Sequence, residues 1–176
     1  MTDKHGLSLE ALKAAIQMET DGKAHYLKAS QESSDELGKK LLQTLAEEED
    51  NHRRKFEQIY NTMRTKKSWP VVYFQPDGGQ KLRTIFARAT EKLDSSTKPI
   101  DTELAAVELA MSMENESLDF YKSQSEKTTD NDEKEFYQLL ALEEREHHMI
   151  LLDYYDYLKD PAGWFVRKEH PSLDGG

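Results

Sequence analysis

LAEEEDNH, residues 45–52, and LALEEREH, residues 140–147, are two versions of one pattern. Each ends in Glu-x-x-His: Glu49 with His52, and Glu144 with His147. Residues three apart on a helix lie on one face, so the carboxylate and imidazole of each pair reach one region of space. In a Glu-rich helical chain, one such pair says no more than a solvated face would. These two gain weight from their surroundings. A lone Glu precedes each pair by 30 residues, Glu19 and Glu114, and a Tyr follows each lone Glu by seven, Tyr26 and Tyr121. Met18 and Met113, Leu45 and Leu140, and Ala46 and Ala141 obey the same shift of 95 residues. None of the other four histidines has a Glu three residues before it. The chain is therefore an internal repeat whose unit is a helical hairpin.

Periodicity outward from these motifs gives the rest of the fold. Leu9, Leu12, Ile16, Glu19, Tyr26 and Ser30 recur at three- and four-residue steps and predict a helix over about 8–33. A second helix, about 35–66, carries Leu42, Leu45, Glu49, His52, Phe56, Ile59 and Met63 inward, after a Ser33-Ser34-Asp35 turn and cap signal. A third, about 101–127, begins at Asp101 as cap and carries Leu104, Val107, Met111, Glu114, Leu118 and Tyr121. A fourth, about 130–159, opens on a capping-box variant, Asp130 with Glu133, and carries Phe136, Leu140, Glu144, His147, Leu151, Tyr154 and Leu158. Short turns make each pair antiparallel. The connection over 67–100 holds Trp69-Pro70, a Pro76-Asp77-Gly78-Gly79 turn, a short amphipathic helix (Leu82, Ile85, Phe86, Ala89, Leu93) and a linker, Ser95–Pro99. A helix of 28 residues is about 42 Å long, which about 13 extended residues can cross. The expected fold is all-α: a four-helix bundle of two antiparallel hairpins joined by one long crossover containing a short helix, a single domain over 1–176. Pro161 and Gly163 end the last helix, leaving a short tail over 160–176. Its Trp164 and Phe165 fit either a return onto the bundle or a subunit contact, as in a homodimer.

Composition narrows the function. A net charge of −10 sets the chain against nucleic acid and anionic lipid. No apolar run approaches the roughly 20 residues that span a bilayer, and Met1–Gly6 lacks a signal-peptide pattern, so a cytoplasmic protein is expected. The absence of cysteine excludes disulfides, thiolate metal sites and cysteine nucleophiles. Any metal must sit on oxygen or imidazole.

The inward stripes bring four Glu to mid-bundle. Unpaired buried carboxylates are costly and repel one another. Two divalent cations offset four carboxylate charges, with two neutral imidazoles completing the donors. Glu19, Glu49, His52, Glu114, Glu144 and His147 are accordingly the candidate ligands. His148 lies about 100° round the helix from His147, and it, His25, His5 and His170 are read as non-ligands. Glu47, Glu48, Asp50, Arg53, Arg54 and Lys55 read as a solvated face with local ion pairs. Gly22, inside the first helix, fits close packing near the site or chance equally.

These residues resemble the rubrerythrin branch of the ferritin-like di-iron carboxylate superfamily, over about Leu7 to Lys159. Two lone Glu and two Glu-x-x-His pairs, spread over four helices, are similar to that family's ligand pattern. The resemblance implies a ferritin-like bundle with two iron ions per chain, manganese or zinc being able to replace them. Glu49 and Glu144 correspond to bridging carboxylates and Glu19 and Glu114 to more terminal ones. Tyr26 and Tyr121 match tyrosines that hydrogen-bond beside the centre. It also implies reduction of hydrogen peroxide with electrons from a separate donor, such as a rubredoxin-like protein. Ferroxidase chemistry with O₂ and a non-enzymatic metal-binding role are the alternatives. Two departures stand out: the chain lacks the four cysteines of a rubredoxin domain, and Ser117 occupies the position of a further Glu one turn after the third-helix carboxylate.

Overall fold

Asp3, Asp35 and Asp130 each start a helix, because an aspartate oxygen can accept the backbone N–H groups that a first turn leaves unpaired. Asp3 accepts from Gly6 at 3.1 Å, Asp35 from Gly38 at 2.6 Å, and Asp130 from Asp132 and Glu133, both at 3.0 Å. These caps open α1 (Lys4–Glu32), α2 (Glu36–Lys66) and α5 (Asn131–Lys159). The structure, a computed structural model, describes residues 3–91 and 101–169. Leu93, the linker Ser95–Pro99, His170 and Leu173 lie outside the described residues. The remaining helices are α3 (Gln80–Thr90), α4 (Asp101–Lys127) and α6 (Pro161–Glu169). Asp101 is the first residue of α4. Glu133 does not close a capping box: its side chain instead accepts from Thr128 at 2.7 Å and from Ser8 at 3.3 Å.

α1 packs along α2, α4 along α5, and the two hairpins meet through α1 and α4. The core divides around the middle of the bundle. One cluster joins Leu12, Ala15, Phe56, Ile59, Met63, Tyr121, Phe136, Tyr137 and Leu140. The other joins Tyr26, Leu37, Leu41, Leu42, Leu45, Val107, Ile150, Leu151, Tyr154, Tyr157 and Leu158. Between them lies a layer of charged side chains.

The described part of the crossover, residues 67–91, runs along the bundle. α2 ends on Lys67, whose φ of 54° and N–H bond to Met63 O at 3.0 Å turn the chain out. The next residues are extended and alternate. Val72 and Phe74 face the first cluster while Val71 and Tyr73 are 92% and 77% exposed. Trp69 packs on Phe136 and Tyr137, at one end. Phe74 reaches the middle, where its ring meets His52 edge-on at 5.8 Å. Gly78 and Gly79, at φ 65° and 74°, turn the chain into α3. Leu82 and Phe86 of α3 then join the second cluster.

The tail departs from the expectation. Pro161 ends α5 but starts α6, since a proline suits the first position of a helix and Asp160 caps it by accepting from Gly163 at 3.0 Å. α6 folds Trp164 back to a buried position against Phe86 and Tyr157, with its Nε1 donating to Asp153 at 3.0 Å.

Candidate metal centre

All six predicted ligands converge in the mid-bundle layer, each 3% exposed or less. α1 brings Glu19, α2 brings Glu49 and His52, α4 brings Glu114, and α5 brings Glu144 and His147. Their donor atoms form two overlapping groups, each with every atom within 4.8 Å of the others: Glu19, Glu49, His52 and Glu144, and Glu49, Glu114, Glu144 and His147. Glu49 and Glu144 belong to both. His52 Nδ1 lies 3.4 Å from Glu19 and 3.3 Å from Glu144. His147 Nδ1 lies 3.3 Å from Glu49, 3.6 Å from Glu114 and 3.9 Å from Glu144. Donors sharing one ion at bond lengths of about 2.1 Å stand about 3.0–3.5 Å apart.

The fit of a metal rests on what these atoms lack. Glu19 Oε2, Glu49 Oε1, His52 Nδ1, Glu114 Oε2, both oxygens of Glu144 and His147 Nδ1 are all buried without a hydrogen-bond partner among the described residues. Buried polar atoms are normally paired. Here the unpaired ones point at two common centres, and a carboxylate–imidazole donor set suits iron, manganese or zinc.

The two tyrosines lock the hairpins together crosswise. Tyr26 of α1 donates to Glu114 of α4, and Tyr121 of α4 donates to Glu19 of α1. Burial, then the charge of the accepted carboxylate, raises both phenols well above their ordinary range. They therefore remain donors that fix one oxygen of each lone Glu.

A supporting layer lies beyond the six. His147 Nε2 is 2.8 Å from Glu48, so its outward nitrogen is held while Nδ1 faces the centre. Glu143, buried, accepts from Gly78 at 3.2 Å and lies close to His147 with Glu48. The rings of His52 and His147 stack at 5.8 Å and 14°. Glu48 is thus not part of a solvated face, and Asp50 is also buried, paired with Lys23 at 2.8 Å and Arg53 at 2.9 Å. The repeat held the clue: Glu48 shifted by 95 is Glu143. Gly22 has a structural reason too, because a Cβ there would sit 2.7 Å from Glu49 Oε2. Beside it, a cavity of about 80 Å³ between α1 and α4 is lined by Met18, Gly22, Tyr26, Glu49, Glu114 and Ser117. The remaining described histidines stay outside the groups. His25 Nε2 lies 2.9 Å from Ala106 O, His148 Nδ1 lies 3.3 Å from Met111 O, and His5 is half-buried in the first turn of α1.

Electrostatics match the geometry. Burial, then the charges of neighbouring carboxylates, pushes Glu49 and Glu144 well above the usual carboxylate range. Burial also acts on Glu114, but the charge of nearby His147 and the hydrogen bond from Tyr26 outweigh it and hold Glu114 down to about 2. His147 is the converse: burial lowers it, and Glu114 with its other carboxylate partners raises it further.

The family model described as Rubrerythrin matches residues 10–155. The chain belongs to that family, and its all-α bundle is of the ferritin-like kind. No curated protein and no solved structure matches it. No helix among the described residues is long and apolar enough to cross a membrane.

Proposed function

We propose that this rubrerythrin-family chain holds two iron ions on Glu19, Glu49, His52, Glu114, Glu144 and His147 and reduces hydrogen peroxide to water with electrons from a separate donor. The observation that carries the reading is the set of seven buried donor atoms, unpaired and gathered into two groups. A structural role would be served by an apolar core, at no cost in buried charge.

Reduction of one peroxide consumes two electrons and two protons and yields two waters. Iron bound here would supply the electrons. The chain's own residues set the conditions. Glu49 and Glu144, common to both groups, hold the two positions close together, and Glu19 and Glu114 close the ends. Tyr121 and Tyr26 keep those end carboxylates from swinging. Glu48 fixes the tautomer of His147 so that Nδ1 stays free to bind. Phe74 covers the His52 side and excludes water there. The cavity of about 80 Å³ at Gly22 and Ser117 has room for a molecule the size of peroxide or O₂ beside Glu49 and Glu114.

The test is to load anaerobic apoprotein with Fe²⁺, count the iron, and mix it with hydrogen peroxide or with O₂ in a stopped-flow spectrometer. Two irons per chain and faster oxidation by peroxide are expected. Faster oxidation by O₂ reassigns the chain to ferroxidase chemistry. Less than one iron per chain, or no reaction with either oxidant, overturns the di-iron redox reading in favour of a non-enzymatic metal-binding bundle.

A further inference from the structure

We propose that Trp69, Tyr137 and Tyr121 form a path for single electrons between the surface at the end of α2 and the Glu19 side of the centre. The inference rests on the di-iron reading above. Tyr121 donates to Glu19. Its ring stacks on Tyr137 with centroids 6.0 Å apart, and Tyr137 meets Trp69 at 5.9 Å. Trp69 is half-buried and reaches the edge of the bundle. Tyrosine and tryptophan are the aromatic side chains that give up an electron readily; phenylalanine, which would fill the same space, does not. The polar atoms of this pair are also wasted on packing. The Tyr137 hydroxyl and the Trp69 indole nitrogen are buried with no hydrogen-bond partner among the described residues. Leaving them unpaired costs stability that phenylalanine or leucine would spare. A redox role is one of the few reasons to retain such groups.

The internal repeat supplies the comparison. A shift of 95 relates Tyr121 to Tyr26 and Trp69 to Trp164, but Tyr137 to Leu42. In that half, Leu42 interrupts the rings: the described ring contact of Tyr26 is with His25. There the indole of Trp164 is satisfied, by Asp153 at 3.0 Å. When peroxide draws two electrons and only one is at hand, the second leaves Trp69 by way of Tyr137 and Tyr121. The indole proton passes to water, and an external one-electron donor restores the ring. Without a donor, excess peroxide draws a second electron from the ring along the same path, and water adds to the oxidised indole with loss of a proton, leaving an oxygenated tryptophan.

The experiment gives iron-loaded protein excess hydrogen peroxide in air with no electron donor, then quantifies oxygenated Trp69 and Trp164 by peptide mass spectrometry, with iron-free protein alongside. Trp69 is expected to be oxygenated roughly tenfold more than Trp164, a rate ratio of about 1.4 kcal/mol, and only with iron bound. Tyr137→Phe keeps the ring and removes an unpaired hydroxyl. It is expected to abolish the excess at Trp69 while iron content holds and Tm stays level or rises. Equal oxygenation of the two tryptophans, or an excess at Trp69 that survives Tyr137→Phe, overturns the relay alone. Protein that binds no iron overturns the di-iron reading and the relay together, and the metal count tells the two failures apart.

Discussion

Replacing Gly22 with alanine sets the preference of a helix against the need of a site. Within α1, alanine is favoured over glycine by about 1 kcal/mol. The new methyl group would lie 2.7 Å from Glu49 Oε2, inside the 3.4–4 Å of ordinary contact, so the carboxylate must retreat by roughly 0.7 Å. Without metal that oxygen is the far end of a flexible chain and can turn away at little cost. Apoprotein stability should therefore stay within about 1 kcal/mol of the parent, on either side. With metal the same carboxylate is committed, because Glu49 serves both donor groups. Displacing it should weaken binding about 10–100-fold, or about 1.4–2.8 kcal/mol. Urea unfolding in the presence of a chelator measures the first quantity, and competition titration with Zn²⁺ or anaerobic Fe²⁺ the second. Ser117→Ala, at the position related by the repeat, adds no Cβ and should leave metal affinity near the parent value. A Gly22→Ala protein that binds metal as tightly as the parent refutes the argument that this glycine exists to make room for Glu49.

Glu48→Ala should lower metal affinity about tenfold by freeing the outward nitrogen of His147, while apoprotein unfolding changes far less, as the same two assays report. Asp50 carries the pH dependence: Lys23 and then Arg53, acting against burial, hold its carboxyl at about 2, against 3.8 when unperturbed. A folded-state value below the unfolded one adds stability above pH 3.8 that is lost as pH falls through about 2. Asp50→Asn should therefore cost about 1–2 kcal/mol at neutral pH, a difference that shrinks between about pH 4 and 2 in unfolding curves. Metal itself should stabilise the fold, by about 2.7 kcal/mol for a site at a hundred times its Kd, reversibly on chelation; an unchanged Tm on adding Fe²⁺, Mn²⁺ or Zn²⁺ would argue against a native-state site.

The hairpins and six converging side chains were legible because the repeat compares the chain with itself. Apolar periodicity alone would have given four helices. The polar residues kept in register at Glu19/Glu114, Glu49/Glu144 and His52/His147 marked the face that mattered. Glu48 escaped the reading because a charged residue beside a ligand lies about 100° away on the helix, where solvent is the usual neighbour. Here that direction points at the far nitrogen of a histidine from the other hairpin, which only the packing reveals. Val71–Phe74 is a plain apolar stretch in the sequence, and its alternation over His52 shows only once the chain is packed on the bundle. The tail was misjudged because proline ends one helix and begins another with equal ease, and the choice rested on Asp160 as cap.

Each donor group draws on both halves of the chain. The first takes Glu19, Glu49 and His52 from one hairpin and Glu144 from the other; the second takes Glu49 from one and Glu114, Glu144 and His147 from the other. Neither hairpin owns a complete set. A bound ion therefore acts as a rivet through a seam that otherwise brings four carboxylates face to face. Folding gives each half its shape through near neighbours in sequence, but the ion decides how firmly the halves are shut. Slow release of metal and slow parting of the hairpins should be one event, seen with one rate constant by a metal indicator and by hydrogen exchange along the α1–α4 contact.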